Sequence, residues 1–126
     1  AQLAIELFSA VGSVVDVDES MMDAVTAVSG RGPAYVFLLA EAMIAGGVQT
    51  GLDLEVATEL VQQTIRGAAE LLVQDERSAT ELREAVTSKG GTTDAAITVM
   101  QDRGFSDIVR DGVVSARDRG EELGKS

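Results

Sequence analysis

A glycine-rich segment, TSKGGTT at residues 87–93, carries the residue types best suited to binding a small anion. It connects the predicted end of one helix to the predicted start of the next. The first N–H groups of a helix have no intrahelical partners and lie at the positive end of the helix dipole, and glycines let the backbone approach a ligand without obstruction by a Cβ atom. Three or four charge-assisted hydrogen bonds of roughly 1.5 to 3 kcal/mol each would hold a small carboxylate with micromolar to millimolar affinity. Hydroxyl donors stand beside Gly90 and Gly91, on Ser88, Thr92 and Thr93.

A purely structural interpretation of the same segment is also open. Gly90 and Gly91 would then form only the turn between two helices, with Thr92 as the N-cap of the second helix. Spacing alone favours this interpretation, although such a turn needs only one glycine and one cap.

A second glycine-rich helix entry, SGRGPAY, occupies residues 29–35. Its GxG is not a dinucleotide fingerprint, because the third glycine is missing and no clear strand precedes it. Arg31 is expected to be solvated, as loop arginines usually are, unless the fold brings it beside Ser88. Glu41, in the next helix, is expected to be paired or exposed and not catalytic. The sequence therefore assigns no cofactor-binding residue.

The inventory of side chains excludes several kinds of chemistry. Cysteine and histidine are absent, which rules out disulfides, thiolate metal sites, imidazole bases and Ser-His-Asp triads. Ten Lys and Arg against 21 Asp and Glu give a net charge of −11, which argues against nucleic acid or an anionic membrane as a partner. The carboxylates between Asp16 and Asp23 lack the glycine and the terminal Glu of a calcium loop, so no metal site is expected.

Hydrophobic periodicity predicts an all-α fold, with residues 1–126 forming a single domain. VVDVD at residues 14–18 predicts a short extended piece. The opening residues AQLAIELFSAVG predict a helix with one shared apolar face, formed by Leu3, Leu7 and Phe8. Further helices are predicted to begin at or near Pro33, Asp53, Ser78, Thr93 and Ser106, with glycine ends at Gly51 and Gly104. Ser78 and Glu81 have the spacing of a capping box.

The helix over residues 34–48 is apolar on nearly every face, so other protein segments must surround it, from the same chain or from a second subunit. A second subunit is favoured over wrapping within a monomer. This helix is interrupted by Glu41 and is shorter than the roughly 20 residues that span a bilayer. Without a signal-peptide pattern, the protein is expected to be soluble and cytoplasmic. The chain lacks an initiator Met, which predicts that the front of a longer protein is missing.

Three segments together closely resemble the C-terminal domain of pyrroline-5-carboxylate reductase. They are AVTAVSGRGPAYVFLLAEAM at 24–43, GLDLEVATELVQQTIRGAAELL at 51–72, and AVTSKGGTTDAAI at 85–97. The likeness covers almost the whole chain. The motifs SGxGPAY and TSxGGTT at this separation are far more specific than either glycine pair alone. With the resemblance, the anion-site interpretation becomes the favoured one.

The resemblance implies an oxidoreductase of proline biosynthesis. Such an enzyme passes a hydride from NADPH or NADH to the C=N bond of 1-pyrroline-5-carboxylate and makes L-proline. The family's N-terminal dinucleotide-binding domain, which would hold most of the cofactor, is absent from this chain, so the chain alone is expected to be inactive. The helical domain of the family interlocks with its twin in a homodimer, which in some members associates further into a decamer.

The resemblance also implies roles for four residues of the TSKGGTT segment. Ser88 and the backbone N–H groups of Gly91 and Thr92 would hold the substrate carboxylate. The Thr93 hydroxyl would hydrogen-bond the ring nitrogen and so act in catalysis. Two residues depart from the family pattern, namely Lys89 in place of proline and Arg31 in place of serine. Lys89 gives up a fixed φ and adds a cation.

Two other functional interpretations compete with this one. The first is the helical domain of another dehydrogenase, of the 3-hydroxyacid or 6-phosphogluconate type, which would need a catalytic lysine in a helix. Lys89 and Lys125 are the only lysines, which weakens it. The second is a non-catalytic helical oligomerisation or interaction module, in which the glycine turn is only structural.

Overall fold

Helices dominate the part of the chain that the computed structural model describes, residues 4–8 and 14–125. Strands β1 (Ala4–Phe8) and β2 (Val14–Asp18) pair antiparallel and lead into a 3-10 turn (Glu19–Met21), helix α1 (Met22–Val25) and a π-helical turn (Thr26–Gly30). The longer helices follow as α2 (Gly32–Gln49), α3 (Leu54–Gln74), α4 (Ala79–Ala85), α5 (Thr92–Asp102) and α6 (Phe105–Gly124). The all-α class and the extended segment at 14–18 are confirmed.

The helix predicted for the opening residues is wrong. Ala4–Phe8 is a strand, in which Ile5 faces Val17 and Leu7 faces Val15 across the antiparallel pair. The same residues also fit the apolar-polar-apolar alternation of a strand, and pairing with β2 satisfies backbone groups that so short a helix would satisfy poorly. Leu3 and residues 9–13 lie outside the described residues.

The end of α2 is closed by a glycine turn, as its sequence predicts. Gly51 has a φ of 109°, its N–H donates to the Val48 carbonyl at 3.0 Å, and the Leu52 N–H donates to the Gly47 carbonyl at 3.1 Å. This is the Schellman arrangement, in which two otherwise unpaired carbonyls of the last helical turn are satisfied.

The predicted helix starts agree with the structure to within one or two residues. The capping box of α4 is formed: the Glu81 N–H donates to the Ser78 hydroxyl at 3.1 Å, and the Ser78 N–H donates to the Glu81 carboxylate at 3.0 Å. Asp53 occupies the N-cap position of α3, but its side chain makes no capping hydrogen bond. α6 runs from Phe105 through the charged tail to Gly124.

The chain divides into two compact units. The first joins the segment up to Val36 with the segment from Phe105 onward, and in it α6 packs against α1 and the π-helical turn. The second is Phe37–Gly104, where the end of α2 approaches the start of α3 so closely that a Cβ on Gly47 would lie 3.1 Å from the Ala57 Cβ. That approach is possible because both residues are small.

Little of the chain over residues 17–125 is shielded from solvent. Its buried apolar residues are Ala27, Ala57 and Val61, and α2 contributes none. Large side chains of α2 are exposed instead, with Phe37 and Leu38 each 66% accessible. Within the described residues, no helix is both long enough and apolar enough to cross a membrane.

Candidate functional site

The TSKGGTT segment is the connection between α4 and α5. α4 is started by its capping box and stops at Ala85, after which the Thr87 N–H donates to the Glu84 carbonyl at 3.1 Å. The Thr87 hydroxyl donates to the Arg83 carbonyl at 2.6 Å. Both the N–H and the hydroxyl of Thr87 thus donate to carbonyls of α4 and close the end of that helix.

The chain reverses at Ser88–Gly91 through a hydrogen-bonded turn. The Gly91 N–H donates to the Ser88 carbonyl at 2.9 Å, and Gly90 has a φ of 78°. Because L-residues with a side chain rarely adopt that φ, the turn requires glycine at position 90. A Cβ at Gly91 would lie 3.2 Å from the Ser88 carbonyl oxygen, so this position is sterically tight as well.

Gly91, and not Thr92, is the N-cap of α5. Its backbone is extended, with φ −87° and ψ −175°, and it supplies no side-chain cap. The Thr92 cap considered in the structural interpretation is therefore wrong. The physical reason is that the turn closed by the Gly91 N–H ends at Gly91. The helical conformation therefore begins at Thr92, one residue earlier than it would with Thr92 as the cap.

Asp94 lies at the third position of α5 and folds back onto the turn. Its Oδ2 accepts a 2.9 Å hydrogen bond from the Gly90 N–H. Sequence reasoning missed this residue. The available signal was an acidic residue three positions into a helix, where it satisfies free N–H groups and interacts favourably with the helix dipole.

Backbone donors of the first turn of α5 remain available to a ligand. The first N–H of α5 bonded within the helix is that of Ala95, which donates to the Gly91 carbonyl at 3.1 Å. Helix geometry therefore leaves the N–H groups of Thr92 and Thr93 without intrahelical acceptors. Ser88, Thr92 and Thr93 are all solvent-exposed, as is Lys89. The structure thus places the four predicted site residues, Ser88, Gly91, Thr92 and Thr93, in this turn and at the start of α5. Hydroxyl and helical N–H donors of this kind suit an anion.

The SGRGPAY segment forms the end of the π-helical turn and the start of α2. The Arg31 N–H donates to the Thr26 carbonyl at 2.9 Å, which is the spacing of a π-helix, and the Tyr35 hydroxyl donates to the Ala27 carbonyl at 2.8 Å. Arg31 is exposed, as the sequence predicts. Arg31 belongs to the first compact unit, whereas the glycine turn belongs to the second.

No metal or dinucleotide site is evident in the described part of the chain. Its residues contain no group of three or more Asp or Glu side chains placed to hold a metal ion. Its two strands pair antiparallel, whereas a dinucleotide fold requires parallel strands joined by helices.

A protein-family model for pyrroline-5-carboxylate reductase dimerisation matches residues 19–123. Among curated proteins, the chain is 48% identical over 119 residues to the pyrroline-5-carboxylate reductase of Synechocystis sp., covering 94% of this chain and 45% of that protein. It is 46% identical over 134 residues to the Mycobacterium tuberculosis enzyme of the same name, covering 93% of this chain and 45% of that protein. The chain thus spans less than half the length of these relatives.

The chain is also similar to solved structures of pyrroline carboxylate reductases. The Plasmodium falciparum pyrroline carboxylate reductase with NADP bound superposes with a TM-score of 0.82 at 34% identity, covering 86% of this chain and 43% of that one. The 1-pyrroline-5-carboxylate reductase of Streptococcus pyogenes superposes with a TM-score of 0.84 at 32% identity, covering 88% and 43% respectively.

Proposed function

Because the chain belongs to the pyrroline-5-carboxylate reductase dimerisation family, we propose that it is the dimerisation and substrate-binding portion of such an enzyme. The reaction reduces the C=N bond of 1-pyrroline-5-carboxylate to give L-proline. The observation that carries the assignment to substrate binding is the glycine turn, which gathers exposed hydroxyls and free helical N–H groups at the start of α5.

The turn is proposed to hold the substrate carboxylate. The N–H groups of Thr92 and Thr93 and the Ser88 hydroxyl supply the main donors. The Gly91 N–H already donates to the Ser88 carbonyl at 2.9 Å, so its contribution to a carboxylate is a shared hydrogen bond. Charge-assisted hydrogen bonds of this kind are shorter and stronger than neutral ones.

The Thr93 hydroxyl is proposed to hydrogen-bond the ring nitrogen of the substrate. As the C=N carbon gains a hydride, the π-electron pair moves to nitrogen, which then takes a proton. A hydroxyl held beside that nitrogen can pass it a proton while taking one from solvent, to which Thr93 is exposed, and it fixes the ring orientation. Anchoring the carboxylate and the nitrogen from adjacent residues of one helix leaves the imine carbon in a single position.

NADPH or NADH supplies the hydride when bound. The described residues of this chain offer no parallel β-α-β unit for a dinucleotide, so we place its binding mainly in a domain outside this chain. It follows that the chain alone does not catalyse turnover. NADP is present in the Plasmodium falciparum relative.

Homodimer formation is proposed to bury the exposed apolar surface of α2. Phe37 and Leu38 are each 66% accessible and Leu39 is 36% accessible. Exposed apolar side chains of this size on a helix are unfavourable in water and are typical of an interface. We propose that two copies interlock through α2, with the dimer as the minimal unit of any higher oligomer.

The function is tested with the complete protein that contains this chain, by following NADPH oxidation with 1-pyrroline-5-carboxylate as substrate. Ser88→Ala should raise KM about 10-fold, because it removes a hydrogen bond to a charged group. Thr93→Ala should lower kcat about 100-fold, the usual contribution of a positioned proton donor.

Thr87→Ala is the matched control, because its hydroxyl is bonded to the Arg83 carbonyl at 2.6 Å and not offered to a ligand. Its KM and kcat should stay within about twofold of the parent, a change worth less than half a kcal/mol. Ser88→Ala and Thr93→Ala variants that behave like the control would contradict the proposed site. They would instead support an interaction module in which the turn is only structural.

A further inference from the structure

We propose, building on the function above, that Asp94 is a positioning residue that holds the substrate-binding turn in its binding conformation. The carboxylate Oδ2 of Asp94 accepts from the Gly90 N–H at 2.9 Å. The contact joins the first turn of α5 to Gly90. The chain reverses at this residue, which has a φ of 78°.

The contact differs from an ordinary capping box. In α4 the third residue, Glu81, reaches back to the N–H of the N-cap residue, Ser78, at 3.0 Å. In α5 the N-cap N–H, that of Gly91, is already bonded to the Ser88 carbonyl. Asp94 therefore reaches one residue further, to Gly90. Two hydrogen bonds thus fix two consecutive glycine N–H groups, which lie between the Ser88 hydroxyl and the Thr92 and Thr93 N–H groups that we propose as the main donors to the substrate.

The hydrogen bond from the Gly90 N–H to Asp94 limits the conformational freedom of residues 89–91. Lys89, Gly90 and Gly91 have no proline ring among them to limit φ, and glycine has more conformational freedom to lose than any other residue. Without the Asp94 contact, only the hydrogen bond from the Gly91 N–H to the Ser88 carbonyl would restrain these residues, and substrate binding would have to order them further. With it, the ordering is already present in the free protein, so less binding free energy is lost.

The negative charge of Asp94 has an opposite effect, because it repels a substrate carboxylate. The two effects predict opposite changes in KM when the side chain is removed. The half-buried Asp94 carboxylate lies at the N-terminus of α5, where the helix dipole and the neighbouring N–H groups offset its charge and weaken this repulsion. We infer that the positioning effect is the larger one.

The test compares Asp94→Ala and Asp94→Asn in the complete protein, with 1-pyrroline-5-carboxylate as the varied substrate. Asp94→Ala removes the acceptor and should raise KM about fivefold with kcat within about twofold, as expected for the loss of one hydrogen bond that orders the site. Asp94→Asn keeps an oxygen acceptor without the charge and should return KM to within about twofold of the parent.

Asp107→Ala is a matched control. Asp107 occupies the same third position in α6, where it is paired with Arg110 at 3.2 Å, and it lies in a different compact unit from the turn. Its removal should leave KM unchanged. A loss of helix stability alone would lower the melting temperature of Asp94→Ala without changing KM, so the KM readout separates positioning from stabilisation.

Three results would overturn the proposal: an unchanged KM in Asp94→Ala, a lowered KM in that variant, or an Asp94→Asn variant as impaired as Asp94→Ala. A parent protein with no turnover of 1-pyrroline-5-carboxylate would refute the proposed function itself, and the role of Asp94 with it. Turnover by the parent with unchanged KM in Asp94→Ala would refute only the role of Asp94.

Discussion

The Tyr35 hydroxyl donates a 2.8 Å hydrogen bond to the backbone carbonyl of Ala27, eight residues earlier. It ties the first turn of α2 to the π-helical turn that precedes it. Ala27 is 1% accessible, so its carbonyl belongs to the small shielded part of the chain. The tyrosine of the SGRGPAY motif therefore has a structural role in this protein.

Tyr35→Phe should lower the stability of the fold by about 1 kcal/mol, the usual net value of one hydrogen bond, because the ring is kept while its donor is lost. The expected decrease in melting temperature is a few degrees, measured by calorimetry or circular dichroism. A melting temperature equal to that of the parent would show that water replaces the phenol at no cost.

Gly47→Ala should destabilise the protein by about 1 kcal/mol or more, since the new Cβ would lie 3.1 Å from the Ala57 Cβ and Ala57 is 1% accessible. Gly67→Ala is the control, because nothing lies within 4 Å of its added Cβ and it sits inside α3. There alanine should stabilise by roughly 0.5 to 1 kcal/mol through helix propensity. The two substitutions are expected to shift the denaturant midpoint in opposite directions, and shifts of the same sign would contradict the close packing of α2 and α3.

Acid should remove a contribution that Asp75 makes to stability. The Arg77 side chain donates to both Asp75 oxygens, at 3.0 and 2.9 Å, and lowers the pKa of Asp75 to about 2. Because the folded pKa is below the unfolded value, the contribution is complete above the unfolded pKa and is lost as pH falls towards 2. Asp75→Asn should therefore lower the melting temperature at pH 7, and the difference from the parent should shrink steadily below pH 4. A difference that stays constant with pH would exclude the ion pair as its cause.

Leu38→Glu should dissociate the proposed dimer, because it places a charge in the apolar surface of α2, where Leu38 is 66% accessible in the single chain. Gln49→Glu adds the same charge at the exposed end of α2 and should leave the dimer intact. Analytical ultracentrifugation measures both. A parent chain that sediments as a monomer would refute the dimer directly.

The sequence predicts those features whose determinants lie within a few residues of one another. Gly51 closes α2 and the Ser78 and Glu81 pair opens α4, because each depends only on local backbone geometry and two or three neighbouring groups. For the same reason, the grouping of Ser88, Thr92 and Thr93 in one turn follows from their adjacency.

Features that depend on a partner segment are predicted less well. The strand at Ala4–Phe8 needs β2 to satisfy its backbone, and the apolar spacing that suggested a helix is too short to decide between the two. Asp94 was missed for a different reason, because its contact with Gly90 is local, only four residues apart. Which residue caps α5, and which N–H remains for Asp94, is settled by the turn closed between Ser88 and Gly91 and not by residue type.

Because few residues are fully buried, the stability of the protein should depend on its concentration. Among residues 17–125, full burial is confined to Ala27, Ala57 and Val61, which is little apolar burial to set against the entropy of ordering such a chain. If pairing through α2 supplies the rest, folding and association become one equilibrium. By mass action the melting temperature should then rise with protein concentration, and dilution or low expression should favour the unfolded chain.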